Sequence, residues 1–181
     1  MTTKTDAIDS SLAATQAGPA APVLQRFRLG GPLLLYAVEG LTAARTTERP
    51  GPGAWSIAEL VAHLVDADLV HAERMKRMIA EDNPTLLNFD ESEWVARLGS
   101  HALPIAEGAS LFAANRAYMA TLLARRPESD YARCGTHTEY GRKTLAEELT
   151  TMVTHLDYHL RFLYGKRANL GVAVTPRYAA E

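Results

Sequence analysis

The chain has 181 residues, of which 47% are hydrophobic, which suits one domain with a full-sized core. The formal net charge of -2 argues against a nucleic-acid-binding protein, because such proteins usually carry a basic excess or patch. The longest apolar run, Leu33 to Val38, is far shorter than the roughly 20 residues needed to span a membrane, and the N-terminus has no signal-peptide pattern. The only cysteine, Cys134, cannot form an internal disulfide, so we expect a cytoplasmic protein.

The chain divides into a folded centre and two terminal segments. Residues 1–22 are rich in Thr, Ala, Ser and Pro, a composition that buries too little apolar surface to offset the entropy of ordering, so we expect a mobile tail. Residues 23–167 form the predicted bundle, and 168–181 the predicted C-terminal tail. Within the bundle, Gly30-Gly31-Pro32 predicts a bend or a new helix start, with a long helix near 32–41.

Two later helices begin with the same signal. Ser56-Ile57-Ala58-Glu59 and Thr144-Leu145-Ala146-Glu147 have the form of a capping box, in which two side chains satisfy free backbone N–H groups at a helix start. Apolar residues at three- and four-residue steps follow each box, which predicts helices over 56–80 and 144–164.

The middle of the chain adds a third long helix. Residues 84–103 show no long period and predict only a short helix packed on the bundle, whereas Pro104 begins a helix predicted over 105–125. We find no strand-type alternation. Four long amphipathic helices predict an all-α, antiparallel four-helix bundle.

A pair of histidines marks the last helix. His155 and His159 are four residues apart, so on a helix they lie about 40° apart and roughly 6 Å along one face. His63 lies two turns into the helix that Ser56 begins, and antiparallel packing would bring it level with the pair. Three imidazoles with one open position are typical of a catalytic metal site between helices. Zinc or nickel is the expected metal, with iron or manganese as alternatives.

The remaining candidates have simpler interpretations. The segment His155 to His159 lacks the glutamate of the HExxH motif, so a zincin protease is not supported. We expect solvent-exposed His71 and His101, a turn role for His137 and an unreactive Cys134. Asp157 points about 200° away from His155 and is a poor ligand.

No residue stands out as a general base. Glu59 and Glu148 lie on the ligand-bearing faces, and each fits a capping or histidine-orienting role as well as a catalytic one. Arg116 could hold an anionic thiol or carboxylate if it faced the bundle mouth, and a solvated helix arginine is the equal alternative.

The motifs together resemble one family. They are Phe27-Arg28-Leu29-Gly30, Trp55 to Glu59 with His63 behind it, Arg74 to Met78 leading to Ala80-Glu81-Asp82-Asn83-Pro84, Phe112 with Arg116, His137 with Gly141, and finally His155 and His159. Over roughly residues 27–171 the chain resembles the DinB-like (YfiT-like) family of metal-dependent enzymes. The resemblance implies a four-helix bundle with His63, His155 and His159 in the ligand positions, and a possible homodimer.

The resemblance implies two reactions on a small molecule. One is hydrolysis, in which a metal ion lowers the pKa of water. The other is transfer of a low-molecular-weight thiol, which has a narrow preference because no base is evident to assist water. The alternative from a different class is a non-catalytic, metal-stabilised stress-response bundle that binds a ligand or partner.

Overall fold

The computed structural model describes residues 20–179. Most of the predicted mobile tail therefore lies outside the described residues, and the first helix begins at Ala21, two residues before the predicted start of the bundle. The long helices are α1 (Ala21–Val38), α3 (Ile57–Ala80), α5 (Ile105–Ala124) and α6 (Leu145–Asn169), and the short ones are α2 (Ala43–Thr46) and α4 (Glu91–Arg97).

Helix α1 differs from its prediction. It runs through Gly30 and Gly31 with Pro32 inside it, so a new helix start at this point is wrong, and the expected bend stays a prediction. Both glycines are buried at helix contacts: a Cβ on Gly30 would lie 2.7 Å from Leu156 Cδ2, and one on Gly31 would lie 3.0 Å from Ala113 Cα. The glycines therefore permit close packing of helices instead of interrupting one.

Both capping boxes form. Ser56 Oγ accepts from the Glu59 N–H at 3.2 Å while the Glu59 carboxylate accepts from the Ser56 N–H at 2.8 Å. Thr144 and Glu147 make the same reciprocal pair at the start of α6. The predicted starts of α3 and α6 are thus confirmed, because satisfying the free N–H groups fixes where a helix begins.

A small sheet closes one end of the molecule, which the sequence pattern did not predict. Strand β2 (Cys134–His137) lies between β1 (Thr85–Leu86), to which it is parallel, and β3 (Gly141–Thr144), to which it is antiparallel. In register, His137 is opposite Leu86 on one side and Gly141 on the other. Strands of two to four residues are too short to show a period of two.

The four long helices form the predicted bundle. Helices α1 and α3 each pack against both α5 and α6, and their inward faces supply two hydrophobic clusters. One contains Phe27, Met75, Leu123 and Leu149, and the other contains Leu34, Leu64, Phe112 and Leu160. Within the described residues, no helix is both long and apolar enough to cross a membrane.

The predicted C-terminal tail, residues 168–181, begins inside α6, and its described residues after the helix lie along the bundle. Tyr36 Oη donates to the Thr175 carbonyl at 3.0 Å, and Tyr164 Oη donates to the Arg177 carbonyl at 3.2 Å. The segment as far as residue 179 is therefore held against α1 and α6 by side chains of both helices.

Candidate metal centre

Helix α3 brings His63 into the interior. The ring lies almost two turns after the Ser56 cap, is 1% exposed, and packs against Trp55 with ring centroids 5.0 Å apart. The capping box thus sets the start of the helix, and the adjacent Trp55 ring covers one side of the imidazole. The nearest carboxylate to its Nδ1 is that of Glu91, with Oε2 at 3.8 Å.

Helix α6 presents His155 and His159 to the same point. His63 Nε2 lies 3.1 Å from His155 Nε2 and 3.1 Å from His159 Nε2, and one ligand nitrogen of each ring lies within 4.8 Å of the other two. Three nitrogens bound to one tetrahedral ion at about 2.1 Å would be separated by about 3.4 Å. The antiparallel packing therefore produces the convergence that the spacing predicted.

The surroundings keep the three rings neutral. Burial is the main cause that lowers the pKa of His63 to about 3, of His155 to about 2 and of His159 to about 4. The charge of a neighbouring histidine adds to this effect for the first two. A neutral imidazole offers a free lone pair, which is the form that binds a metal.

The hydrogen-bonding pattern around the rings fits the same use. Within residues 20–179, no group accepts from the three buried Nδ1 atoms, so the polar contacts of these rings are concentrated on their Nε2 atoms. Three Nε2 lone pairs that face one another cannot satisfy each other, because one N–H at most can lie between any two of them. A donor set of three imidazoles suits a divalent transition metal such as zinc or nickel.

Aromatic side chains border the exposed side of the centre. The Tyr158 ring stands edge-on to His159 with centroids 5.1 Å apart, and Phe162 packs on Tyr158 at 4.9 Å. Tyr158 and Phe162 are both about half exposed. They give a molecule that approaches the histidines an apolar surface on the α6 side.

The three weaker candidates lie in different places. Glu59 is 1% exposed and is held by its own cap and by Arg49, whose Nε donates to Oε2 at 3.0 Å. Arg116 is completely buried, and its Nε donates to Asp68 Oδ1 at 2.8 Å. Arg116 therefore neither faces solvent nor lies at the bundle mouth, where it could hold an anionic thiol or carboxylate. Both interpretations of this residue are wrong.

The third candidate, Glu148, has an unexpected partner. His71 Nδ1 lies 2.6 Å from Glu148 Oε1, and the His71 side chain is only 14% exposed. The expectation that His71 is solvated is therefore wrong. Spacing places only Glu148, which is seven residues before His155 and therefore about two turns along the same helix face. His71 is eight residues after His63 and lies about 80° around α3 from it, so the pair was not evident from the pattern.

The other residues match their simpler interpretations. His137 is 4% exposed and its Nδ1 accepts from the backbone N–H groups of Glu139 and Tyr140 at 3.1 and 3.2 Å, which is a turn role. His101 is exposed. Asp157 accepts from the Ala179 N–H at 2.8 Å on the far side of α6.

Fold and site together define a four-helix bundle with a centre of three histidines. The chain belongs to the DinB superfamily, whose sequence pattern matches residues 26–163. The resemblance drawn from the motifs is thereby confirmed.

Two relatives of known sequence are named as metal-dependent hydrolases. The chain is 34% identical over 100 residues, 55% of its length, to a protein of Geobacillus thermodenitrificans named "Putative metal-dependent hydrolase". It is 31% identical over 108 residues, 60% of its length, to a protein of Oceanobacillus iheyensis with the same description. These matches span 56% and 62% of the two relatives.

A solved structure confirms the fold. YfiT from Bacillus subtilis, described as "a probable metal-dependent hydrolase with an unusual four-helix bundle topology", superposes with a TM-score of 0.78 at 21% identity. The match covers 84% of this chain and 87% of that one. At this identity the likeness concerns the bundle and its topology.

Proposed function

We propose that the protein is a metal-dependent hydrolase that acts on a small molecule. The observation that carries the proposal is the convergence of three neutral imidazoles, those of His63 and His159 buried and that of His155 half-buried, with one ligand nitrogen of each within 4.8 Å of the others. Three protein ligands leave a coordination position for water or substrate, whereas structural zinc sites normally have four protein ligands. The names of the relatives support the same class.

His63, His155 and His159 would hold the ion, with zinc or nickel as the expected metal. An ion in this position supplies a Lewis acid and lowers the pKa of water toward neutrality. The chain's own contribution is to keep the imidazoles neutral by burial, and to border the centre with the apolar rings of Trp55, Tyr158 and Phe162. Those rings favour a substrate with an apolar or aromatic part.

Thiol transfer is the second candidate, and two observations make it a weaker candidate than hydrolysis. Arg116, the residue considered for an anionic thiol, is buried against Asp68 and cannot reach a ligand. The names of the relatives also weigh against it, because they describe hydrolases. What still favours it is that the same three ligands would stabilise a thiolate.

The test compares the wild type with His159→Ala, and with His101→Ala as a control at an exposed histidine. Each protein is loaded with Zn²⁺ or Ni²⁺, and its metal content, melting temperature and turnover are measured against ester and amide panels and against thiol–electrophile pairs. We expect bound metal and ester or amide turnover in the wild type and the control, and loss of both in His159→Ala.

Three other results would contradict the proposal. Equal turnover by metal-free His159→Ala and metal-loaded wild type would show that the metal is not catalytic. Turnover with thiol–electrophile pairs alone would establish the transferase instead. A metal-dependent rise in melting temperature without turnover in any panel would favour the non-catalytic bundle that binds a ligand or partner.

A further inference from the structure

The three histidine rings lack a contact that metal-binding histidines usually have. A histidine that binds an ion through Nε2 carries its proton on Nδ1, and that N–H is commonly held by a carboxylate, a backbone carbonyl or a water. In this centre the Nε2 atoms converge, so the Nδ1 atoms are the ones that would donate. Within residues 20–179, none of the three Nδ1 atoms makes a hydrogen bond.

His63 has a candidate acceptor. The Glu91 carboxylate lies 3.8 Å from its Nδ1, whereas no ion pair among the described residues joins a carboxylate to His155 or His159. A distance of 3.8 Å is too long for a hydrogen bond, so the two groups are neighbours that are not bonded. A movement of the carboxylate by about 1 Å would bring the contact to the usual N–H···O length.

The Glu91 side chain is free to make this movement. It belongs to the first residue of α4 and is 47% exposed, and in the described part of the chain its carboxylate makes no other ion pair or hydrogen bond. The acidic residues beside it have local partners instead. Asp90 Oδ1 accepts from the Glu93 N–H at 2.9 Å, and the Glu93 carboxylate pairs with Arg97. Helix capping and helix pairing therefore account for Asp90 and Glu93 but not for the position of Glu91.

The backbone that carries Glu91 is anchored on both sides. Before it, Arg74 Nη2 on α3 donates to the Leu87 carbonyl at 2.5 Å. After it, Val95 on α4 is 3% exposed. The segment is thus held over α3, and the movement that closes the contact with His63 needs only a change of side-chain torsion angles.

We propose that Glu91 is a positioning residue of the metal centre, whose carboxylate accepts a hydrogen bond from His63 Nδ1 when the three Nε2 atoms hold a divalent ion. The positive charge at Nε2 makes the Nδ1–H group a stronger donor and attracts the carboxylate. The contact keeps the His63 ring in one tautomer and one orientation. The inference rests on the metal centre of the proposed function, and it concerns how firmly the ion is held and not which bond of a substrate is broken.

The test measures the affinity of the full chain for Zn²⁺, by competition with a chromophoric chelator, and the imidazole N–H signals of the zinc-loaded protein by NMR. Glu91→Ala removes the carboxylate, whereas Glu91→Gln keeps an oxygen that can accept a hydrogen bond. Glu93→Ala and Glu93→Gln are the matched controls, because they remove the same charge from the same turn of α4.

We expect the affinity for Zn²⁺ to fall by about 10- to 100-fold in Glu91→Ala, and by less in Glu91→Gln. The Nδ1–H signal of His63 should shift or exchange faster with water in Glu91→Ala, while the corresponding signals of His155 and His159 stay in place. Both Glu93 variants should match the wild type in affinity and in all three signals.

Three results would overturn the inference and leave the proposed hydrolase standing. Equal affinity of Glu91→Ala and Glu93→Ala would show that the carboxylate does not position His63. Equal losses in Glu91→Ala and Glu91→Gln would assign the effect to charge and not to a hydrogen bond. A fall in turnover by Glu91→Ala, with affinity and the His63 signal unchanged, would show that Glu91 acts on water or substrate instead.

The wild type tests the proposed function itself. If it binds neither Zn²⁺ nor Ni²⁺, the centre is not a metal site and both proposals are overturned. If circular dichroism shows that Glu91→Ala does not fold, Glu91→Gln takes its place, and equal affinity of Glu91→Gln and Glu93→Gln then overturns the inference.

Discussion

Helix α3 contributes to two buried polar clusters of opposite character. In the first, Asp68 accepts from Arg116 Nε at 2.8 Å and from Asn115 Nδ2 at 2.7 Å. Arg116 also donates to the Met152 carbonyl at 2.9 Å, and its guanidinium lies over the Phe27 and Phe112 rings at 4.7 and 4.5 Å. Donors and acceptors of opposite charge are thus brought together between the two hydrophobic clusters.

The second cluster brings together groups of the same kind. Three imidazole nitrogens meet 3.1 Å apart around His63, and burial keeps all three rings neutral. In the first cluster a cation is paired with an anion and serves the fold, whereas three nitrogen acceptors that face one another are suited to binding a cation. The comparison therefore separates a structural cluster from a binding site, and each of the following changes tests that separation.

Acidification should have the largest effect. Unfolded histidine has a pKa near 6.5, while the folded, metal-free values are about 4 for His159, 3 for His63 and 2 for His155. The unfolded chain therefore binds more protons below pH 6.5. The stability that these rings contribute is present above that pH and is lost as the pH falls toward the folded values, by on the order of 2 kcal/mol for each ring at pH 5.

The measurement is the free energy of unfolding of chelator-treated protein between pH 8 and pH 5. The variant His159→Gln provides the control, because it removes one titrating ring and should reduce the slope by up to one proton. An equal slope in both proteins would mean that His159 does not titrate as a buried group.

Substitution of Asp68 should have the next largest effect. The variant Asp68→Ala leaves Arg116 as a buried, uncompensated charge, since both side chains of the pair are at most 2% exposed. The expected loss is about 3–5 kcal/mol of unfolding free energy, measured by chemical denaturation.

The exposed helix pair of Arg77 and Glu81, whose nitrogen and oxygen are 3.1 Å apart, is the matched control. Substitution of Glu81 by alanine should cost about 0.5 kcal/mol or less. If Asp68→Ala cost as little as the surface variant, the first cluster would not be a structural ion pair.

The sequence predicted those parts of the molecule that depend on local rules. Helix starts could be predicted because a capping box needs only four residues. The pair of histidines on α6 could be predicted because residues i and i+4 share a helix face. His63 required one further step, the assumption of antiparallel packing, which the contacts of His63 with His159 and of His71 with Glu148 confirm.

What remained hidden depends on tertiary contacts. Gly30 and Gly31 were interpreted from their backbone freedom as a bend or a new helix start, but both lie at contacts with neighbouring helices. His71 was assigned to solvent, and Arg116 either to solvent or to a ligand at the bundle mouth, because their partners, Glu148 and Asp68, are 77 and 48 residues away. No local pattern predicts partners at such separations, and the same is true of strands β1 and β2, which pair Thr85 with Thr136.

Gly30→Ala should have an intermediate effect. The added Cβ would contact the Arg116 guanidinium and would lie 2.7 Å from Leu156 Cδ2, so either the guanidinium or α6 must move. Overpacking of this kind costs about 1–3 kcal/mol. The measurement is the unfolding free energy, with Gly165→Ala as the control, because a Cβ at that helical position meets nothing within 4 Å. Equal stability of the two variants would show that Gly30 is not needed for close packing.

The smallest change concerns the helix starts that hold the two clusters in place. Ser56→Ala and Thr144→Ala each remove one side-chain acceptor from a capping box and should cost about 1 kcal/mol.

The Ser56 box lies closer to the centre, because Trp55 packs on His63 and Glu59 is also held by Arg49. That second contact anchors the carboxylate when the serine hydroxyl is lost, so both variants should bind one metal ion per chain, as the wild type is proposed to do. Metal content and thermal unfolding, measured together, test this expectation. If Ser56→Ala lost its metal while Thr144→Ala kept it, the cap of α3 would be needed for metal binding by the three histidines and not only for the stability of the fold.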